Sequence, residues 1–354
     1  MEALEKIATE TEDTPDRQEK TVNAIKDASP YISMTGPQGD PGFGLYKECH
    51  LCPRSCGVNR LSNNGSDCSG FCGEAGRLRV AYVGPHFGEE PPISGKRGSG
   101  TVFFSGCSLR CSFCQNRQIS HKGLGTQTDL DELLQRLIEM IRVHRVHNIN
   151  FVTPDHFFPH IFCLVAILRK RGIDLPMVYN LSGYQSVGML KKAGDYADIY
   201  LADFKYSDSR LAARLSRCQD YPEIALGAIS EMVRQKGFLD SCAGGRGQAG
   251  KGVLVRHLIM PGNIENSIDA LTSLFLEFGR GLPLSIMSQY MPAVRQKEED
   301  LNRPITKEEF ERVYCHALDL GFEHLFVQFP EKDHDEREAT TPFLPDFRKA
   351  EPFE

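Results

Sequence analysis

The cysteines of this chain are strongly clustered, and their placement limits the fold more than any other feature. The sequence has 12 cysteines in 354 residues, too few for a disulfide-knitted scaffold of this length. Five form one cluster, three form a second, and four are scattered: Cys49, Cys52, Cys56, Cys68 and Cys72; Cys107, Cys111 and Cys114; Cys163, Cys218, Cys242 and Cys315. Tight clusters without a secretory signal are typical of metal sites in a reducing compartment.

Composition and charge exclude several classes of protein. Hydrophobic residues make up 40% and charged residues 25% of the chain, which is ordinary for a globular protein and unlike a disordered or fibrous one. The formal net charge of −6 gives no electrostatic case for nucleic acid or anionic membranes. The longest apolar run, residues 161–168, is shorter than the roughly 20 residues of a membrane span. Residues 1–20 are acidic and lack the apolar core of a secretory signal, so we expect a cytoplasmic protein.

The chain divides into four segments by composition. Residues 1–45 are acidic and then rich in Gly and Pro, which predicts a mobile lead-in. Residues 46–78 hold the first cysteine cluster and too few apolar residues for a core, which predicts a lobe folded around metal. Residues 79–330 carry the main domain, and residues 331–354 begin with "EKDHDERE" and are predicted to be a charged, solvated tail.

Strands and helices alternate through the main domain. Seven short apolar segments read as strands, namely 101–105, 148–153, 176–181, 198–204, 252–260, 282–290 and 324–329. Amphipathic helical patterns separate them, the first over 128–144 with Thr128 and Asp131 as a candidate capping box. Nearly all-apolar strands separated by helices predict an α/β fold with a parallel sheet covered on both faces. Six β/α units are too few to close an eight-stranded barrel, so we expect an open sheet or a partial barrel.

The second cysteine cluster has the spacing C-x-x-x-C-x-x-C and directly follows the first strand. Three thiolates on one short loop, Cys107, Cys111 and Cys114, can hold three irons of a 4Fe–4S cluster and leave the fourth iron open to a small molecule. Two alternatives are a zinc site with a distant fourth ligand and buried thiols that act as small hydrophobic groups.

These residues also carry a family resemblance. Cys107, Cys111, Phe113 and Cys114 resemble the C-x-x-x-C-x-aromatic-C signature of radical S-adenosylmethionine (SAM) enzymes. Within that superfamily the chain resembles homologues of the pyruvate formate-lyase activating enzyme that bear an N-terminal cysteine motif. The stretches "CHLCPRSCGVNR", "GEEPPISGKRGSGTVFFSGC", "YNLSGY", "DIYLADFKY" and "VRHLIMPG" carry that likeness. The resemblance implies a (β/α)6 partial barrel with a small cysteine-rich lobe before it.

The resemblance also implies a mechanism and its cofactors. SAM would bind the open iron of the 4Fe–4S cluster, and one electron from the reduced cluster would cleave it to methionine and a 5′-deoxyadenosyl radical. That radical would abstract a hydrogen atom from the substrate. The implied partners are an electron donor such as flavodoxin or ferredoxin and, for an activating enzyme, a protein substrate.

Polar residues recur at the carboxyl ends of the predicted strands, where β/α barrels place their active sites. They are Thr153 and Asp155, Asn180 and Ser182, Asp203 and Lys205, Arg256 and His257, and Gln289 and Tyr290. Packing does not explain this recurrence, although Asp155 and Ser182 would also serve as helix N-caps. His86, Glu89 and Glu90 precede the barrel and could lie over its mouth, with no role that the sequence supplies.

The resemblance implies roles for most of these residues. Asp203 and Lys205 match an Asp-x-Lys near the methionine moiety, and Arg256 matches an arginine that approaches the cofactor. Asn180 and Ser182 would bond the ribose or the carboxylate, and Phe113, Thr153 and Gln289 complete the expected cofactor-binding set. The superfamily often has Gly-Gly-Glu after the second strand to hold the methionine amine. This chain has "FVTPD" there, so Thr153 or backbone carbonyls would have to substitute.

The first cysteine cluster predicts a second metal site. Cys49, Cys52, Cys56 and Cys72 supply four thiolates, which fit either zinc or a fully ligated iron–sulfur cluster. Cys68 is then a spare thiol or an alternative ligand. The site would either hold the lobe together or relay electrons to the catalytic cluster.

Three functions follow, in order of preference. The first is a radical SAM activase that makes a glycyl radical on a partner protein. The second is a radical SAM enzyme that modifies another protein or a small molecule. The third, from a different class, is an iron–sulfur electron-transfer or zinc-binding protein without catalysis.

Overall fold

The computed structural model describes residues 42–62, 69–242, 247–330 and 344–353. Almost all of the predicted acidic lead-in and the spare cysteine, Cys68, lie outside these residues. Within them, no helix combines the length and the apolar character that a membrane crossing demands.

A single sheet of nine strands forms the centre of the described chain. The strands are β1 (Arg79–His86), β2 (Ser99–Phe104), β3 (Thr126–Gln127), β4 (Ile149–Val152), β5 (Met177–Leu181), β6 (Ile199–Asp203), β7 (Gly252–Leu258), β8 (Leu284–Met287) and β9 (Leu325–Val327). Their order is β3-β1-β2-β4-β5-β6-β7-β8-β9, so β3 and β9 form the edges of an open sheet. All pairs from β2 to β9 are parallel, while β1 is antiparallel to both β2 and β3.

Helices connect the parallel strands. The α-helices of the described residues are α1 (Pro91–Ser94), α2 (Arg117–Ser120), α3 (Leu130–His144), α4 (Phe158–Lys170), α5 (Val187–Ala193), α6 (Ser209–Ser216), α7 (Tyr221–Lys236), α8 (Ile264–Phe278) and α9 (Lys307–Leu320). Short 3-10 helices cover Phe43–Tyr46, Asp155–Phe157, Asp240–Cys242 and Glu299–Asn302. The predicted α/β class and the mostly parallel sheet are confirmed.

The parallel strands are apolar because both of their faces are covered. Every residue of β2, β4 and β5 is buried, so both faces of these strands are covered. The strand β1 instead alternates between buried and half-buried positions, and the sequence analysis assigned no strand there. Its short apolar run is interrupted by Gly84 and Pro85, which hide the period-two pattern.

The start of α3 differs from the prediction. Its N-cap is Asp129, whose side chain accepts a hydrogen bond from the backbone N–H of Glu132 at 2.8 Å. Thr128, predicted as the cap, instead donates its hydroxyl to the carbonyl of Thr126 at 3.1 Å. The capping box of Thr128 and Asp131 is therefore wrong by one residue, because the helix begins one residue later.

Part of the predicted charged tail packs against the sheet. Phe347 is 7% exposed, and its ring centroid lies 5.3 Å from that of Phe103 on β2. Phe353 lies 4.3 Å from the ring of His86, and Tyr82 donates a hydrogen bond to Glu351 at 2.9 Å. Residues 344–353 therefore differ from the solvated tail that we expected over 331–354, of which residues 331–343 and 354 lie outside the described part of the chain. Their aromatic side chains supply apolar area that a charged tail would lack.

Candidate active site

One cavity of about 560 Å³ opens at the carboxyl ends of the parallel strands. It is lined by every barrel residue that the sequence analysis assigned to the cluster or the cofactor: Cys107, Cys111, Phe113, Cys114, Thr153, Asn180, Ser182, Asp203, Lys205, Arg256 and Gln289. These residues come from six different strands or the loops after them, and the parallel sheet brings them to one edge.

The loop after β2 presents the three thiols to this cavity. The sulfur of Cys107 accepts hydrogen bonds from the backbone N–H groups of Leu109 at 3.4 Å and Arg110 at 3.5 Å. The sulfur of Cys114 accepts the hydroxyl of Ser120 at 3.3 Å. Burial raises the pKa of the thiols of both Cys107 and Cys114. Bare thiols here would be neutral, and a bound metal together with these donors would stabilise the thiolate forms.

The donor set at this loop fits three irons of a cluster. Cys107, Cys111 and Cys114 are free thiols that line the same cavity. A 4Fe–4S cluster takes one thiolate on each of its irons, and three thiolates leave one iron open.

A network of charged side chains also lines the cavity. Arg256 donates to Asp203 at 2.9 Å, to Asn180 at 2.6 Å and to Glu89 at 3.0 Å. Lys205 donates to the second oxygen of Asp203 at 2.5 Å. Asp203 and Arg256 are directly paired in the register of β6 and β7, so the sheet itself sets this contact.

The network keeps its members charged despite their burial. Burial alone would raise the pKa of Asp203, but Arg256 and Lys205 outweigh it and hold that pKa below its usual value. Burial would lower the pKa of Lys205, and the Asp203 carboxylate raises it instead. The cavity therefore offers fixed positive and negative charges, as the carboxylate and amine of an amino acid need.

Two cavity residues escaped a functional assignment from sequence. Glu89 accepts the side-chain N–H groups of Asn150 at 3.0 Å and Asn180 at 3.1 Å and pairs with Arg256. Glu90 is 9% exposed, one of its carboxylate oxygens has no partner, and burial raises its pKa. Both lie between β1 and β2, so the rule of strand ends could not find them. The only signal was the pair of acids in "GEEPP".

Thr153 holds an unusual backbone conformation at the end of β4. Its φ is +56°, a value that β-branched residues rarely adopt, while its N–H donates to the carbonyl of Asn180 at 3.0 Å. Strain of this kind gathers at functional sites. Thr153 lines the cavity in the stretch "FVTPD", where we expected it to bind the cofactor.

The helix-cap alternative for two residues is wrong. Ser182 accepts a hydrogen bond from Gln185 at 3.2 Å, whereas α5 begins after Ser186. Asp155 is 1% exposed and accepts the hydroxyl of Ser108 at 2.6 Å, whereas the N-cap of α4 is Phe157. Ser182 therefore faces the cavity, and Asp155 instead supports the cysteine loop.

A second cavity, of about 870 Å³, lies beside the same cysteine loop. The only Asp or Glu that lines it is Glu298. Six lining residues are Arg or Lys: Arg110, Arg117, Arg214, Arg217, Arg295 and Lys297. The net charge of −6 therefore hides a strongly positive face.

Comparison with known proteins finds one matching family model and a distant relative. Residues 101–270 match the sequence model of the radical SAM superfamily. An uncharacterized protein of Methanocaldococcus jannaschii is 29% identical over 296 residues, which cover 78% of this chain and 75% of that protein.

Solved structures with a similar arrangement are distant from this chain. SuiB of Streptococcus suis bound to SAM has a TM-score of 0.42 and 10% identity, over 63% of this chain and 48% of that one. Methylornithine synthase (PylB) has a TM-score of 0.44 and 16% identity, over 65% and 63%. SuiB bound to its precursor peptide SuiA has a TM-score of 0.42 and 11% identity, over 63% and 46%. The chain thus spans less than two thirds of each of these proteins.

Proposed function

We propose, from the premise that residues 101–270 form a radical SAM superfamily domain, that this chain cleaves SAM reductively and abstracts a hydrogen atom from a substrate. The observation that carries the proposal is the single cavity where three thiols face the charged network of Asp203, Lys205 and Arg256. The cluster bound at Cys107, Cys111 and Cys114 would supply the electron that splits SAM into methionine and a 5′-deoxyadenosyl radical.

The side chains of the cavity have distinct tasks in this proposal. Arg256 and Lys205 would bind the carboxylate of the methionine moiety, since both cations point into the cavity from strand ends. Asn180 and Ser182 would bond the ribose hydroxyls. Phe113, which packs between Tyr206 and Tyr290, would keep water from the cysteine loop.

The test is anaerobic. The protein is reconstituted with iron and sulfide, reduced with dithionite and given SAM, and 5′-deoxyadenosine is measured against Cys114→Ala. We expect production in the wild type and a loss of at least about 100-fold in the variant. Cys315→Ala is the matched control, because Cys315 is exposed on α9, outside the cavity lining. Equal production in Cys114→Ala and the wild type would refute the proposal.

As the substrate we propose a partner protein on which the chain makes a glycyl radical. The support is the sequence resemblance to activating-enzyme homologues in the stretches around the cysteines and strand ends. The test uses pyruvate formate-lyase as the probe and looks for a glycyl-radical doublet by electron paramagnetic resonance (EPR). SAM cleavage without the doublet counts against this substrate.

A small-molecule substrate is the second candidate, and Glu90 favours it. Its carboxyl group faces the cavity with one oxygen unpartnered, and Pro345 and Phe353 cover part of the opening. A hydrogen-bond donor on a small substrate would satisfy the unpartnered oxygen of Glu90. A glycine backbone inserted from another protein would have less room to reach that oxygen. Glu90→Gln would then impair substrate turnover more than uncoupled SAM cleavage.

As the electron donor we propose a small acidic redox protein such as flavodoxin or ferredoxin. The support is the cationic cavity beside the cysteine loop, where Ser112 of that loop is itself a lining residue. A donor bound there would sit next to the cluster, and charge complementarity would speed its association.

A further inference from the structure

Four thiols outside the barrel form a compact group. Backbone hydrogen bonds from Cys49 to Val58 and from Gly57 to Cys49, both 3.0 Å, close the loop that carries the first three cysteines. A Cβ atom on Gly70 would lie 3.3 Å from the sulfur of Cys56 and 3.4 Å from that of Cys72. These two sulfurs therefore flank one glycine and are separated by no more than the sum of those distances.

The same loop carries the remaining two thiols. The thiol of Cys56 lies 3.9 Å from the carbonyl oxygen of Cys49, and Cys52 is buried within the loop that these two residues close. None of the four cysteines, Cys49, Cys52, Cys56 or Cys72, is in a disulfide.

A buried arginine lies against this group without a carboxylate partner. Arg60 is 1% exposed and donates to the carbonyls of His156 at 2.6 Å and Ala75 at 2.8 Å. Its guanidinium also lies over the ring of Tyr46 at 4.6 Å and within 3.8 Å of the sulfur of Cys49. Neutral carbonyls and rings do not cancel a full charge, and no ion pair to Arg60 occurs among the described residues.

Such a cation is costly to bury unless an anion accompanies it. The carboxylate of Glu74 pairs with Arg79 at 3.3 Å, and that of Asp155 accepts the hydroxyl of Ser108 at 2.6 Å. The thiol of Cys49, by contrast, lies within 3.8 Å of the guanidinium. Four thiolates on an iron–sulfur cluster carry a net negative charge, and a buried guanidinium would offset part of it.

We propose that Cys49, Cys52, Cys56 and Cys72 bind a second iron–sulfur cluster and that Arg60 is its buried counter-charge. The lobe touches the loop that carries Cys107, Cys111 and Cys114, here called the radical loop. The N–H of Cys107 donates to the carbonyl of Cys72 at 3.2 Å. Arg110 of the same loop donates to the carbonyl of Phe71, also at 3.2 Å. Ligands of the two clusters are therefore joined by one hydrogen bond.

This contact makes the lobe a relay, a role that rests on the proposed radical SAM function. One electron from an external one-electron donor reduces the lobe cluster. The same electron then passes to the radical cluster, so the lobe cluster is oxidised by one electron as the other is reduced by one. No proton moves and no bond forms or breaks in this step.

The first experiment counts metal in the full-length protein. After anaerobic reconstitution we expect about eight irons per chain in the wild type and about four in Cys107→Ala/Cys111→Ala/Cys114→Ala, with matching sulfide and an EPR signal after reduction by dithionite. Cys315→Ala is the control and keeps the full content. The proposal is overturned if the variant without Cys107, Cys111 and Cys114, here called the triplet variant, holds about one zinc without sulfide or holds no metal.

The complementary variant separates the two hypotheses. Cys49→Ala/Cys52→Ala should keep about four irons at the radical loop. Absence of that iron would count against the proposed radical SAM function and not against the lobe cluster. With the iron present, we expect 5′-deoxyadenosine to form at least about tenfold more slowly in a single turnover. An unchanged rate would overturn the relay.

Arg60 provides a readout that a structural role would not move. In the triplet variant, Arg60→Met should shift the midpoint potential of the lobe cluster to more negative values, because a cation that favours the reduced form is lost. Arg60→Lys keeps the charge and should shift it less. Equal potentials in Arg60→Met and the parent protein would overturn the counter-charge assignment.

Discussion

At the scale of single residues, the cavity depends on one buried carboxylate. Asp203 binds both Arg256 and Lys205, and its side chain is only 13% exposed. Without it, two cations would face each other across the cavity with Glu89 as the remaining acid in contact. Removing one partner of a buried ion pair costs far more than the pair contributes in water.

Asp203→Asn should therefore lower the free energy of unfolding by about 3 kcal/mol and weaken SAM binding. Asp198→Asn is the matched control on the same strand region, because Asp198 pairs with Arg169 near the surface, with side chains 31% and 40% exposed. We expect Asp198→Asn to lower the free energy of unfolding by about 1 kcal/mol or less. Urea denaturation and equilibrium dialysis with SAM measure both effects. A larger loss in Asp198→Asn would contradict the argument.

The buried histidines predict how stability depends on pH. Burial lowers the pKa of His257 to about 4, and its ring nitrogens bond the carbonyl of Phe204 at 2.6 Å and the hydroxyl of Ser267 at 2.9 Å. The native state thus holds His257 neutral, whereas the unfolded chain takes up a proton below about pH 6.5. This contribution to stability is complete above that pH and is lost as the pH falls toward 4.

Chemical denaturation between pH 7 and pH 4 tests this expectation. His257→Gln should reduce the slope of stability against pH by at most about 1.4 kcal/mol per pH unit, the effect of one proton. His144→Gln, at an exposed position near the end of α3, is the control and should leave the slope unchanged. An unchanged slope in His257→Gln would show that the ring is not held neutral.

At the scale of elements, the strand ends decide where chemistry occurs and the caps decide where helices begin. The parallel register aligns Val152 with Asn180 and Asp203 with Arg256, so residues far apart in sequence become neighbours at one edge. The helices that cover the sheet contribute packing rather than chemistry. Their boundaries depend on local hydrogen bonds that compete within one or two residues.

The observed N-cap of α3 yields a prediction at this scale. Asp129→Ala should lower the free energy of unfolding by about 1 kcal/mol, because the N–H of Glu132 loses its acceptor. Asp129→Ser is the control, because serine caps helices about as well as aspartate. It should lower the free energy of unfolding by only about a few tenths of a kcal/mol. Thermal or urea unfolding distinguishes the two variants, and equal losses would contradict the assigned cap.

At the scale of the whole molecule, charge is distributed unevenly. The chain is acidic overall, yet its larger cavity presents six basic side chains beside the cysteine loop. Four of them are exposed, Arg214, Arg217, Arg295 and Lys297, and Arg214 pairs with Glu298 at 3.0 Å. A field of this kind attracts anionic partners to one face while the remaining surface repels them.

Reduction by an acidic electron-transfer protein should therefore slow as ionic strength rises, whereas reduction by a neutral mediator should change less. Arg295→Glu should slow reduction by flavodoxin about tenfold at low salt. Lys170→Glu is the control, because Lys170 is exposed at the carboxyl end of α4, at the edge of the sheet away from the cavity. Anaerobic stopped-flow measures the rates. Equal effects of the two variants would exclude this face as the docking site.

Residue type, spacing and periodicity in the sequence sufficed for much of this description. The spacing of Cys107, Cys111 and Cys114, the seven apolar strands and the polar residues after them follow from local chemistry, because metal ligation and strand burial leave short-range patterns. Glu89, Glu90 and the docked segment 344–353 follow no such pattern. They reach the site through the antiparallel strand β1 and the return of the chain terminus, which are long-range contacts.

The partnership of Arg60 with the cysteine lobe illustrates the same limit. The sequence supplies four thiols and an arginine, and it predicts a metal site from the thiols alone. Only the tertiary structure buries the guanidinium beside Cys49 and sets Cys72 against Cys107. The physical reason is that burial and charge compensation depend on which surfaces meet. That is decided by packing the lobe onto the barrel and not by any local pattern of residues.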